Sequence, residues 1–328
     1  MAKEKIKYGQ IGVGHAHASK MSVYRQSDDF EVVGVVEPNA ELRKTRGSHP
    51  TYKGLKWMTQ EELLNTPGLQ VVGVETEVKH LLDVAETSIK AGMHIHLDKP
   101  AGSNLPQFKR ILDEAARKHL LVQMGYMYRY NPAVVMMREF LQKGWLGDPF
   151  EVHTVMSKVV GASSRRGLAE YPGGMIFELG CHIIDLVIGV LGRPTEVHSF
   201  RQHVSPIDDG LVDNMLATLV YPKSIATVKS SAQEVEGFSR RHFVVCGSEG
   251  TFHIEPLDAP NVRFALSKDR GDFKRGYQTK KIGNYARYVA DAADMAKIIR
   301  GEKDSDFSYE HDYRVQETVL KASGLPLD

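Results

Sequence analysis

Residues 6–17 read Ile-Lys-Tyr-Gly-Gln-Ile-Gly-Val-Gly-His-Ala-His. The run Ile6 to Val13 is strand-like and ends among glycines, and His15 to Arg25 then reads as helix. Gly12 permits a tight turn. Gly14 lets the backbone approach an anion at the helix N-terminus, where free N–H groups and the helix dipole favour negative charge. The third glycine of the G-x-G-x-x-G fingerprint is absent: His17 stands there. That glycine serves close helix–strand packing, so the helix is expected to sit further out or to start differently. A bare G-x-G also suits a plain tight turn. Its place between strand and helix favours a dinucleotide site, with the pyrophosphate at Gly12, Gly14 and His15.

The rhythm around this turn supports the reading. Strand-like runs at Glu31–Val36, Leu69–Val74, Met93–Leu97 and Leu120–Met124 alternate with helical segments at Lys79–Ala91 and Asn104–His119. Thr59 with Glu62 forms a capping-box start for a short helix, and Gly92 is a C-cap signal. Strands alternating with helices imply right-handed βαβ units and a parallel sheet. Glu37 closes the second strand-like run, at about the twenty-residue spacing at which a carboxylate meets the adenosine ribose hydroxyls. It favours NAD over NADP, while Arg43 and Arg46 nearby leave NADP open.

After Gly125 the rhythm changes. Asn131-Pro132 opens a helix to about Lys143, Phe150 to Val159 looks extended, and a second helix is expected near Met175–Leu191. From Pro194 to Phe264 several strand-like runs are joined by short turns, which favours antiparallel pairing. Two helices, Asn284–Arg300 and Tyr309–Ser323, close the chain. The fold class expected is α/β: a dinucleotide-binding domain over residues 1–125, then an α+β domain over 126–328 with a large, mainly antiparallel sheet.

Composition narrows the function. The 328 residues are 42% apolar and 25% charged, with Lys plus Arg 42 against Asp plus Glu 41. This excludes disordered, collagen-like and coiled-coil chains, and the charge balance offers no broad surface for nucleic acid or anionic membrane. Cys181 and Cys246 are the only cysteines, too few for a disulfide framework or a CxxC zinc site. With no apolar h-region after the basic N-terminus, a cytoplasmic protein is expected.

Two further segments carry chemistry. Asp98-Lys99-Pro100-Ala101-Gly102 follows a strand whose carboxyl end should face the cofactor. Lys99 is thus placed near the nicotinamide, where it can donate to a substrate oxygen and stabilise developing negative charge. A surface turn lysine is the plain alternative. Glu178, His182 and Asp185 stand at i, i+4 and i+7 in a strongly apolar segment and would share a helix face. A carboxylate beside imidazole fixes its tautomer and raises its basicity, making His182 a general acid/base oriented by Glu178. The alternatives are a satisfied core histidine or a zinc or manganese ligand; no metal is expected. Arg129, Lys158, Arg165 and Tyr171 could wall a substrate cleft or equally be solvated loop residues; Asp185 could also face substrate, although support of the helix or of His182 suits it better.

Asp98-Lys99-Pro100, the Gly173-Gly174 run through His182 and Asp185, and Tyr128-Arg129-Tyr130-Asn131-Pro132 together resemble the glucose–fructose oxidoreductase, inositol dehydrogenase and rhizopine-catabolism (Gfo/Idh/MocA) family. The match covers nearly the whole chain in order and spacing. Asp98 stands where the family has glutamate, and Glu178 where it often has aspartate. The resemblance implies a Rossmann domain followed by a domain with a large open sheet that commonly forms a homodimer or homotetramer interface. It also implies NAD(P)-dependent hydride transfer to or from a sugar, polyol or related secondary alcohol. A redox-neutral lyase or glycosidase on sugars, or a non-catalytic NAD-binding regulator, are the alternatives it leaves open.

Overall fold

The computed structural model describes residues 4–283 and 285–328. The chain forms two compact units. One takes the chain up to Tyr126 together with Ala286–Tyr309; the other takes Met127–Tyr285 and Glu310–Leu327. The stretch 126–328 expected as one domain is therefore interrupted.

The first unit is built on six parallel strands: β1 (Ile6–Ile11), β2 (Phe30–Val36), β3 (Trp57–Met58), β4 (Leu69–Val74), β5 (His94–Leu97) and β6 (Val122–Met124). Their order is β3-β2-β1-β4-β5-β6. The strand order reverses at β1 and β4, so a crevice for a ligand opens outside their carboxyl ends. The helix Val78–Lys90 buries Val78, Leu81, Leu82, Ala85 and Ile89, one face at helical spacing. The helix Leu105–Arg117 starts at Asn104, whose side chain accepts the Gln107 N–H, and Thr59 and Glu62 complete their capping box. The helix Val289–Ile299 contributes Ala292, Met295 and Ala296 to a core with Ile6, Tyr8, Tyr24 and Phe30. That shared apolar face explains why residues 286–309 return to the first unit. Asn284, the expected start of this helix, lies outside the described residues.

The first helix starts later than the sequence implies. Residues Ala18–Lys20 form a 3-10 turn, and the α-helix runs only over Met21–Gln26. The reason is local: the His15 N–H donates to the Glu75 carbonyl at 3.0 Å, and the His15 ring turns inward.

The second unit holds eight strands: β7 (Pro149–Val155), β8 (Glu196–Gln202), β9 (Asn214–Val220), β10 (Ile225–Ser231), β11 (His242–Gly247), β12 (Gly250–Ile254), β13 (Asn261–Leu266) and β14 (Gly276–Lys281). The order is β14-β13-β12-β11-β7-β10-β9-β8, antiparallel except for the parallel pair β7–β10. Alternate residues such as Val152, Ala226, Val245, Phe252 and Phe264 are buried on one face. Phe200, Leu216, Ile225 and Tyr277 are exposed on the other. Asn131 caps the helix Pro132–Gln142 by accepting the Ala133 N–H. The segment expected as one helix over Met175–Leu191 contains a π turn, Ile176–Gly180, before the α-helix Cys181–Leu191. No helix among the described residues is long and apolar enough to cross a membrane.

Gly12 has φ +97°, and a Cβ there would lie 2.4 Å from the Thr76 amide nitrogen. Both strain and collision oppose a side chain. Gly12→Ala is expected to lower the melting temperature by at least about 4 °C. An unchanged melt, followed by circular dichroism, would contradict this packing.

Candidate active site

In the first unit the turn after β1 is held on three sides. The Gly12 N–H donates to the Val36 carbonyl at 2.8 Å, the Val13 N–H to Glu37 Oε2 at 2.8 Å, and the His15 N–H to the Glu75 carbonyl. Among the described residues the amides of Gly14 and Ala16 have no such partner, so these two N–H groups remain for an anion. Glu37 Oε1 accepts the Asn39 N–H at 2.9 Å, so its carboxylate is fixed at the end of β2. Arg46 donates to the Gly14 carbonyl at 2.7 Å and to the His15 carbonyl at 3.2 Å. His15, expected at the pyrophosphate, is 4% exposed, and its amide is already committed.

Beneath this turn lies a buried set of charges. Lys20 Nζ is 2.8 Å from Asp98 Oδ2, 2.9 Å from Glu75 Oε1 and 2.8 Å from His96 Nε2. Asp98 also meets His15 Nδ1 at 2.9 Å and His17 Nδ1 at 3.3 Å, and its Oδ1 accepts the Lys99 N–H at 2.7 Å. Burial opposes ionisation of Asp98, but His15, Lys20 and His17 outweigh it and hold the carboxyl well below its usual range. Glu75 is pushed up by burial and by Asp98. Burial works against the charge of Lys20 too, yet Asp98 and Glu75 raise its pKa. Lys99 itself is buried at the end of β5. The bond between Lys99 and Pro100 is cis. His15, His17 and Asp98 bring three donors of metal-ligand type within 4.8 Å of one another. The Lys20 ammonium already supplies positive charge to that carboxylate.

Burial lowers His17 to about 4, and burial with Lys20 lowers His96 to about 3. In the unfolded chain both rings protonate near about 6.5. Between these values the unfolded state binds more protons, so stability is full above about pH 6.5 and falls as pH falls. The melting temperature is expected to drop between about pH 7 and pH 5, with His96→Gln flattening part of the slope. A profile flat across that range in the parent protein would contradict it.

In the second unit His182 is buried, with the Tyr128 ring edge-on at 5.1 Å. Tyr128 donates its hydroxyl to Asp258 Oδ1 at 2.6 Å, and Arg241 Nη1 donates to Asp258 Oδ2 at 2.9 Å. Glu178 lies in the π turn, and Lys158 Nζ is 3.6 Å from its Oε1. This places Lys158 beside the segment that leads into His182.

Arg129 and Asp185, expected against substrate, are bound to each other. Arg129 Nη2 donates to Asp185 Oδ1 at 2.6 Å and to Asp312 Oδ1 at 2.6 Å, and His311 Nε2 is 2.9 Å from Asp185. Burial would raise Asp185, but Arg129 and His311 hold it below its ordinary value. Arg165 is likewise buried on Asp209 and Asp213. Lys158 and Tyr171 stay half-buried. The residues that sequence reasoning missed are Lys20, Glu75, Tyr128 and Asp258. Glu75 carried a signal as a carboxylate immediately after a strand's carboxyl end, and Tyr128 as the first residue of the Tyr128–Pro132 run.

Two family models match the chain. One is the oxidoreductase family with an NAD-binding Rossmann fold, over residues 6–126; the other is the GFO/IDH/MocA C-terminal domain, over residues 134–253. The chain belongs to the Gfo/Idh/MocA oxidoreductases. Oxidoreductase YhhX of Escherichia coli is 26% identical over 237 residues, covering 70% of this chain and 65% of that protein. The scyllo-inositol 2-dehydrogenase (NAD(+)) of Bacillus subtilis is 22% identical over 286 residues, 83% of this chain and 81% of that one. A levoglucosan dehydrogenase solved with NADH and levoglucosan has the same fold, with a TM-score of 0.81 at 18% identity over 98% of each chain.

The first unit fits the NAD of this family. The two available amides suit a pyrophosphate, Gly12 lets the turn carrying them pack against the Thr76 backbone, and Glu37 is fixed where ribose hydroxyls would need an acceptor. The second unit gives a stability test. Arg129→Met leaves Asp185 and Asp312 buried without their cation and is expected to cost about 3–5 kcal/mol in urea unfolding. A loss below about 1 kcal/mol would show that the pair is dispensable.

Proposed function

We propose that this oxidoreductase is an NAD-dependent dehydrogenase acting on a secondary alcohol of a sugar or polyol. The observation that carries the reading is Lys99, a buried lysine at the carboxyl end of β5 in the unit that holds the dinucleotide cradle. The names of the inositol and levoglucosan dehydrogenases among the similar proteins support the substrate class.

The amides of Gly14 and Ala16, within the turn that Gly12 makes, would hold the cofactor's pyrophosphate, and Glu37 would hold its adenosine ribose. When bound, NAD supplies the hydride acceptor. His182 takes the proton of the substrate hydroxyl as general base. Lys99 donates to a substrate oxygen and stabilises the negative charge that develops there. Glu178, paired with Lys158, sets the electrostatics of the segment leading into His182. Lys158 and Tyr171 offer donors to substrate hydroxyls. Arg129, Asp185 and Arg165 brace the second unit instead of touching substrate. A second copy of the chain packs on the sheet face carrying Phe200, Leu216 and Ile225.

The test is NADH formation from NAD with scyllo-inositol, myo-inositol, levoglucosan and glucose. Lys99→Ala and His182→Ala are each expected to lower turnover by about 10²-fold or more. Near-parental turnover in both would defeat the assignment, as would cleavage of a sugar without net NADH. A carboxylate at Glu37 meets ribose hydroxyls but repels a 2′-phosphate. Glu37→Ala is therefore expected to weaken NAD more than NADP in calorimetric titration; equal losses would remove its ribose role.

A further inference from the structure

We infer that His15 and Asp98 form a clamp that positions Lys99 by holding both polar groups of its backbone. The inference rests on the proposed role of Lys99 at the substrate oxygen. The Lys99 N–H donates to Asp98 Oδ1 at 2.7 Å. The Lys99 carbonyl lies 3.1 Å from His15 Nε2, and a carbonyl can only accept, so the ring nitrogen donates. The other ring nitrogen, Nδ1, is 2.9 Å from Asp98 Oδ2. One carboxylate oxygen of Asp98 thus holds the amide and the imidazole holds the carbonyl, while Nδ1, facing Asp98 Oδ2, accepts the His17 N–H at 3.2 Å.

All three residues are buried, at 4% exposure for His15, 0% for Asp98 and 2% for Lys99. Lys20 Nζ is 2.8 Å from Asp98 Oδ2, the carboxylate oxygen that also faces His15. A lysine side chain has four rotatable bonds, so its ammonium can be aimed only if its backbone is stationary. Fixing the amide and carbonyl of Lys99 supplies that. His15 thereby changes from an expected cofactor contact to a positioning residue. It also links two turns of the first unit: the turn after β1, which carries the amides for the pyrophosphate, and the turn after β5, which carries Lys99.

The test uses the full chain saturated with NAD. His15→Phe keeps ring volume and removes both nitrogens, and His15→Gln retains one donor. Small displacements of reacting groups cost up to about 10²-fold. His15→Phe is accordingly expected to lower kcat by about 10–100-fold, on whichever of the four substrates gives most NADH, while the Kd for NAD stays within about twofold. His15→Gln should recover part of the loss. Combining His15→Phe with Lys99→Ala should cost no more than Lys99→Ala alone, because the clamp acts only through Lys99. A reading independent of substrate is the rate at which acetic anhydride acetylates Lys99, followed by mass spectrometry. It should rise several-fold in His15→Phe, with Lys44 as the exposed reference.

Parental kcat and unchanged Lys99 labelling in both His15 variants would overturn the clamp while leaving the Lys99 assignment standing. A raised Kd for NAD with unaltered kcat would return His15 to the cofactor. Multiplicative losses in the double variant would show that His15 acts by another route. If Lys99→Ala alone retains parental turnover, the functional reading itself fails. Should His15→Phe fold poorly by circular dichroism, His15→Gln decides: unchanged kcat and labelling then defeat the clamp.

Discussion

The Lys20 ammonium faces the carboxylates of Asp98 and Glu75 with almost no access to water. An isolated charge at that depth is prohibitively costly, and the arrangement survives because each partner neutralises another. One cation against two carboxylates leaves an excess of acid. The protonation preference of Glu75 absorbs it. The strand ends β4 and β5 and the helix after β1 are thus bound by charge at the edge where apolar packing gives way to the ligand crevice. Strands alone fix directions, and this ionic knot fixes the positions of the turns that leave them.

The second unit solves a similar problem with an arginine. Arg129 follows β6 and precedes the helix capped by Asn131, and its planar fork reaches Asp185 and Asp312. The last helix, Tyr309–Ser323, is thereby joined to the helix that carries His182. A lysine would satisfy one carboxylate; the guanidinium spans both with directed bonds. Tyr128, the preceding residue, packs against His182 and ends on Asp258, so neighbouring side chains serve the brace and the site.

Much of this was legible in the sequence. Periodicity located the helices Val78–Lys90 and Leu105–Arg117, because their buried faces repeat at helical spacing and their caps are local. The glycines of the first turn and the placement of Lys99 after a strand were legible for the same reason: each depends on a few adjacent residues. Partnership between distant charges was not. Lys20 and Asp98 are 78 positions apart, and Arg129 and Asp312 are 183 apart. No local pattern distinguishes an arginine poised for substrate from one buried in a salt bridge. The π turn was hidden because one extra residue in a turn leaves an apolar segment looking the same. The return of residues 286–309 to the first unit left no trace either, since Ala292, Met295 and Ala296 suit either core.

The parallel pair β7–β10 sits in a sheet whose other neighbours run antiparallel. Antiparallel strands can be joined by a hairpin, but a parallel pair obliges the chain to travel back along the sheet before it pairs. In this protein the obligatory detour contains Lys158, Tyr171, Glu178 and His182. The residues proposed for the second unit's share of the site thus lie in the part of that detour that precedes β8 and β9. Insertions and replacements there can alter the proposed substrate contacts while the registers of the strands stay the same. Such a connection lets one scaffold be retuned from substrate to substrate without being refolded.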